Sequence, residues 1–184
     1  MNTFFGIIIF ACLILAYAII IYNKLVSKRN LSEEGYSGID VQLKRRYDLI
    51  PNLIETVKGY AAHESKTLDN VTEWRARAQG ATNPQDRFQA EAALSKALLN
   101  VFAVSENYPD LKANTNFIEL QGQLAEIEEQ IQLARRYYNG TVRDLNTLIE
   151  MFPSNFVAQY FQFEKRPFFE VDSPAERETP KVQF

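Results

Sequence analysis

NFIELQGQLAEIEEQIQLARRYYNGTVRDLNTLIEMF, residues 116–152, is the stretch whose reading decides the fold class. Within it Phe117, Leu120, Leu124, Ile127, Ile131, Ala134, Tyr138, Thr141, Leu145, Leu148 and Phe152 recur in steps of three and four. An α-helix stacks such residues on one stripe, whereas a strand would throw them onto alternating faces. A heptad seam sustained this long is a helix that seeks helical partners. Asn116 and Glu119 have the spacing of a capping box at its start. Pro153, which has no N–H and clashes with the preceding turn, is expected to close it. At ~1.5 Å per residue this helix is roughly 55 Å long, so it belongs to a rod-like bundle.

Working outward, a second apolar phase runs through Tyr36, Ile39, Leu43, Ile50, Leu53, Val57, Ala61, Leu68, Val71 and Trp74. Pro51 falls inside it, and because the phase continues on both sides we read a kink with the carbonyl of Tyr47 released. Asn30 with Glu33 could cap a new helix here, and Gly35 and Gly38 weaken any join to what precedes. Between the two phases lies a loop, residues 80–84, in which Asn83 is suited to an N-cap and Pro84 to the first helical position. The helix that follows carries Phe88, Leu94, Leu98, Leu99, Val101, Phe102 and Val104 over more than one stripe, and should stop before Tyr108-Pro109. The expected fold is all-α: an N-terminal transmembrane helix followed by an elongated antiparallel bundle of three long helices plus a short fourth over residues 154–160. Phe156, Tyr160, Phe161, Phe163, Phe168 and Phe169 are too aromatic to stay in water and are expected to fold back or meet another subunit. Residues 171–184 read as a disordered tail, residues 30–170 as the bundle, and residues 1–29 as anchor and basic flank.

From Thr3 to Tyr22 there is no charged side chain. About 20 apolar residues match a hydrocarbon core of ~30 Å. Only Met1 and Asn2 precede this run, whereas Lys24, Lys28 and Arg29 follow it, so the positive-inside rule sets the bundle in the cytoplasm and the short N-terminus outside. A cleaved signal peptide would need a basic start, a shorter apolar core and a small-residue cleavage site, none of which is present. The outline of a lipobox at Ile9-Phe10-Ala11-Cys12 is weakened by the bulky Phe10 and the missing basic start. An uncleaved anchor is favoured, with a lipoprotein, whose domain would lie across the membrane, as the minority alternative; Cys12 otherwise reads as a small buried hydrophobe. The expected location is the cytoplasmic (inner) membrane of a bacterium.

Twenty Lys and Arg against 23 Asp and Glu give a net charge of −3, which lacks the basic footprint of a nucleic-acid binder. The single histidine, His63, builds neither a zincin motif nor the paired Glu-x-x-His sites of di-iron bundles. Glu126, Glu128 and Glu129 read as a solvated helix face, and isolated glycines make no phosphate loop. No cofactor, metal or small-molecule substrate is expected. Glu128 with Arg135, and Asn139 with Asn146, stand seven apart on two lines and read as interhelical salt bridges and register-fixing hydrogen bonds. Arg45 and Arg46 could hold anionic lipid or an acidic partner, but pairing with carboxylates of the bundle is the preferred reading.

Several stretches in order carry a resemblance. They are residues 40–53 (DVQLKRRYDLIPNL), 22–26 (YNKLV), 57–64 (VKGYAAHE), 106–114 (ENYPDLKAN) and 134–139 (ARRYYN), with Asn146 and Phe152-Pro153. Through them the chain resembles the bacterial LemA family. The resemblance implies a single-pass anchor, a largely helical cytoplasmic domain and no defined molecular activity. It also marks Arg46, Asn52, Glu106, Arg135 and Asn139 as signature polar positions, either a buried polar network or a contact surface. Together with Arg45 these are the candidate site residues. The expected role is a non-enzymatic, self-associating scaffold or interaction protein whose partners are the lipid bilayer, further copies or other membrane-associated proteins. The alternative is a tethered binding module that presents a groove near Pro51 to a peptide, lipid headgroup or regulatory protein.

Overall fold

The computed structural model describes residues 2–61 and 63–169; the expected tail at 171–184 lies outside them. The described residues form helices and connecting turns, with no strand among them. In chain order the helices are α1 (Asn2–Lys58), α2 (Ser65–Gly80), α3 (Pro84–Ser105), α4 (Pro109–Lys112), α5 (Thr115–Glu150) and α6 (Ser154–Tyr160). The all-α class and the long apolar N-terminal helix stand as read from the sequence. Helix number and several ends differ.

The apolar anchor and the next helical phase form one unbroken α1, so Asn30 and Glu33 cap nothing. Gly35 does not mark a weak join either. It is a close-approach point, where an added Cβ would lie 3.1 Å from the Tyr138 Cα and 3.3 Å from the Tyr137 ring. The phase from Tyr36 to Trp74 is in turn divided, because α1 ends at Lys58 and α2 begins at Ser65. Gly59 sits at this break, where a residue without a side chain costs the helix conformational entropy. At α5 the side chain of Asn114 accepts from the Phe117 N–H at 3.0 Å. The N-cap is therefore Asn114, and the Asn116–Glu119 capping box is replaced by it. The helix ends at Glu150, which leaves Phe152 outside the seam and 76% exposed. Ser154 Oγ, donating to a carbonyl of Leu148 or Met151 at 2.7 and 2.9 Å, serves acceptors that the helix end leaves open.

The chain divides into two compact units. The first comprises residues 1–42 and 129–168. Its core includes Ile21, Leu25, Leu145 and Ala158, with Leu148, Ile149, Val157 and Phe163 packed against them. Ile39, Ile131, Tyr138 and Val142 are also buried in it. After α6 the chain turns through Gln162 in the left-handed region at φ 56°. The Phe163 N–H reaches the Ala158 carbonyl at 2.9 Å and the Gln162 N–H reaches Gln159 at 3.2 Å, the pair of bonds of a Schellman motif. The returning segment is fixed by Asn146, whose amide donates to the Arg166 carbonyl and accepts from the Arg166 N–H, both at 2.9 Å. Asn146 thus clips a returning backbone and does not bond a second helix, as its spacing from Asn139 had suggested. Tyr138 adds a bond from its hydroxyl to the Pro167 carbonyl at 2.9 Å.

The second unit comprises, among the described residues, those of 43–128 and Phe169. Leu43, Ile50, Leu53 and Val57 of α1 are buried, as are Leu68 and Val71 of α2, Phe88, Leu94, Leu98 and Val101 of α3, and Phe117, Leu124 and Ile127 of α5. Leu111 on α4 is fully buried, which explains why the four residues after Tyr108 form a turn of helix that the sequence reading lacked. Asn83 caps α3 by accepting from the Asp86 N–H at 2.8 Å, with Pro84 next. Phe169, the last aromatic of the C-terminal cluster, packs on Phe88 with ring centroids 3.8 Å apart. Pro51 lies within α1, and the Tyr47 carbonyl that its missing N–H leaves open accepts from Arg75 Nε at 2.9 Å.

Candidate functional site

Arg46 lies on the face of α1 that carries Leu43, Ile50 and Leu53, and only 1% of it is exposed. A guanidinium so placed must have its donors met, because an unpaired buried charge costs several kcal/mol. Its partners come from two helices of the second unit. Nη2 pairs with Glu91 Oε2 on α3, and Nη1 donates to Ser95 Oγ at 2.9 Å and to Glu128 Oε2 of α5 at 2.8 Å. The other oxygen of Glu91 accepts from the Tyr47 hydroxyl. Glu91 is itself fully buried, whereas 37% of the Glu128 side chain is exposed. The network therefore runs from a dry inner pair to a carboxylate that water reaches.

Tyr47 titrates above its ordinary value of 10.0, first because it is buried and then because the negative Glu91 opposes a second charge beside it. Apart from Arg46 Nε, which is buried without a hydrogen-bond partner, the groups of the network have complementary hydrogen-bonding roles. Arg46 and Tyr47 donate, Ser95 accepts from Arg46 and donates to Glu128 Oε2 at 3.3 Å, and the two carboxylates accept.

A groove of about 360 Å³ opens beside this network, with Leu98, Leu99, Phe102 and Leu124 as its apolar walls and Arg46, Ser95 and Glu128 at its polar end. Leu99 is 66% exposed. A smaller depression of about 210 Å³ adjoins Pro51 and is lined by Ile54, Glu55, Lys58 and Arg75.

The six sequence candidates do not make one site. Arg46 is the centre of the network. Arg45, its neighbour in sequence, points to an exposed face, and Asn52 is exposed, its backbone carbonyl accepting from Thr56. Glu106 is on the surface and pairs with Lys112, so no buried pocket forms around it. Arg135 is buried and Asn139 half-buried on α5 within the first unit. Glu128, read from the sequence as a partner in an interhelical salt bridge, makes one, across to Arg46 of α1. Three side chains of the network were missed, those of Tyr47, Glu91 and Ser95. Glu91 shares a helical stripe with Phe88, Leu94 and Leu98, and a carboxylate inside an apolar stripe is the signal that could have found it. Among the described residues no three His, Cys, Asp or Glu side chains are grouped to hold a metal ion.

Comparison with known proteins adds relatives to this geometry. The chain is similar to Protein LemA of Metamycoplasma hominis, at 28% identity over 141 residues, which is 74% of this chain and 63% of that protein. It is also similar to magnetosome protein MamQ 2 of Paramagnetospirillum magneticum, at 24% identity over 180 residues, 84% of this chain and 66% of that protein. Magnetosome protein MamQ of Magnetospirillum gryphiswaldense matches at 20% identity over 174 residues, 80% of this chain and 64% of that protein. The chain spans less than two thirds of the length of each of these relatives. The LemA family pattern matches residues 35–184, which takes in the Arg46 network, its groove and the Asn146 clip. The chain belongs to the LemA family.

Proposed function

We propose that this protein is a membrane-anchored, non-enzymatic interaction protein whose helical domain faces the cytoplasm of a bacterium and associates with itself or with other membrane-associated proteins. The observation that carries the reading is α1. Its first two dozen residues are long and apolar enough to cross a membrane, they lie almost wholly exposed, and they continue without a break into the residues that pack the first unit. An apolar helix surface of that size is not stable in water and is at home in hydrocarbon. Lys24, Lys28 and Arg29 on its C-terminal flank favour the cytoplasmic orientation.

The polar network supports a scaffold over an enzyme. The partners of Arg46 and Glu91 are protein groups, and an arrangement of this kind fixes helix register in preference to turning over a substrate. A binding-module reading is favoured by the groove beside Arg46, whose largely apolar walls, with Arg46, Ser95 and Glu128 as one polar group and Gln121 as another, suit a short amphipathic segment of a partner.

Two measurements test the reading. Alkaline carbonate extraction of membranes should leave the full-length chain in the pellet and release a variant with Ile8→Asp and Leu15→Asp; release of the unaltered chain would refute anchoring. Crosslinking of the full-length protein in its native membrane should yield self-products or a defined foreign product. A strictly monomeric outcome across a wide expression range would refute association.

A further inference from the structure

We infer that α6 and the residues just before it form a second membrane contact, an aromatic wedge set into the leaflet beside the anchor. The inference rests on the reading of α1 as a membrane span.

Phe152, Phe156 and Tyr160 follow one another at four-residue spacing and project from one face, 76%, 62% and 81% exposed, while Ser154 and Ala158 on the other face are buried. Three aromatic rings in a row on the outside of a folded unit are surplus apolar surface that something must cover. The depth of this surface is fixed by its neighbours within the first unit. A groove of about 420 Å³ is shared by Leu13, Ile14 and Tyr17 of α1 with Pro153, Phe156 and Val157. The apolar run ends at Tyr22, so Leu13 and Tyr17 lie roughly 14 and 8 Å inside that end at ~1.5 Å per residue. Any side chain against them lies at hydrocarbon depth too.

The rest of the segment follows the same scale outward. Phe161 meets the ring of Tyr22 at 4.7 Å, which puts it at the boundary where amphipathic rings belong. Phe163 lies one step further, beneath the Arg29 guanidinium at 5.5 Å from its ring centroid. That guanidinium supplies the cation where headgroup phosphates would stand, while Lys165, exposed and further along, is paired with Glu150 at 2.7 Å. Apolar, then amphipathic, then basic is the order in which a leaflet presents its layers. The wedge would fix the tilt and rotation of α1, which a lone span leaves free.

The test uses full-length protein in phosphatidylcholine vesicles, with Trp74→Phe as background and a single reporter introduced as Phe156→Trp or, separately, Leu13→Trp. Quenching is measured with lipids brominated along the acyl chain and with aqueous iodide. The expected result is that both reporters lose most of their emission to brominated lipid and are protected from iodide. If Leu13→Trp is quenched by lipid while Phe156→Trp responds only to iodide, the wedge is refuted and the anchor stands. If Phe156→Trp is shielded from both quenchers, a protein covers the surface and the wedge is again refuted. If Leu13→Trp is untouched by brominated lipid, the anchor reading falls and the wedge falls with it.

Discussion

Replacing Glu91 by Ala should be among the most damaging single changes in the second unit. The carboxylate is fully buried and accepts from both the Arg46 guanidinium and the Tyr47 hydroxyl. Its removal leaves a buried cation with Ser95 and the partly exposed Glu128, and a buried phenol with its acceptor gone. Breaking a buried ion pair from one side costs about 3–5 kcal/mol. Against a total stability of about 5–15 kcal/mol for an ordinary domain, that is a large share. For a chain of this size each kcal/mol is worth about 2–4 °C, so the melting temperature should fall by on the order of 10 °C. Glu91→Gln keeps the volume and an acceptor, so it should cost about 1.5–3 kcal/mol. The decisive variant is the triple change Arg46→Met, Tyr47→Phe and Glu91→Leu. It removes the charges and the hydroxyl together and should lie within about 1 kcal/mol of the starting protein or above it, because the desolvation cost vanishes with the pair. The assay is urea unfolding of the full-length protein in detergent micelles, followed by the fluorescence of Trp74, which stacks under Arg77 at 4.6 Å in the same unit. A loss below about 1 kcal/mol for Glu91→Ala, or a triple variant as damaged as the sum of its singles, would refute the claim that these groups act as one coupled network.

Three further outcomes follow from the same geometry. Arg75→Leu should cost about 1–2 kcal/mol by leaving the Tyr47 carbonyl unmet, and the loss should shrink when Pro51→Ala restores an intrahelical N–H; equal losses in both backgrounds would refute the pairing. Gly35→Ala should destabilise by about 1–3 kcal/mol despite the better helix former, because its Cβ would meet backbone at 3.1 Å, while Gly38→Ala, in open space, should stabilise by up to about 1 kcal/mol in the same melts. Tyr47 has a raised value in the folded state, so the stability it contributes is complete below the unfolded value of 10.0 and is lost as pH rises beyond it; ultraviolet titration should show one phenol ionising late, absent in Tyr47→Phe.

The sequence by itself determined the helical class, the apolar N-terminal helix, the loop with Asn83 and Pro84, and the released carbonyl at Tyr47. Each rests on short-range rules of period, capping and missing donors, which act within a turn or two of chain. The seam of α5 was legible over nearly its whole length for the same reason, since helical period is a local property. The ends were less so: Asn114, not Asn116, caps α5, because which of two nearby asparagines turns toward the free N–H depends on how α4 delivers the chain. What only tertiary structure decided is the pairing of Arg46 with Glu91 and Glu128, at separations of 45 and 82 residues, and the seat of Arg75 on Tyr47. A charge carries no mark of its partner in the sequence; the choice is made when burial removes water and leaves each cation only the acceptors that packing has brought within reach.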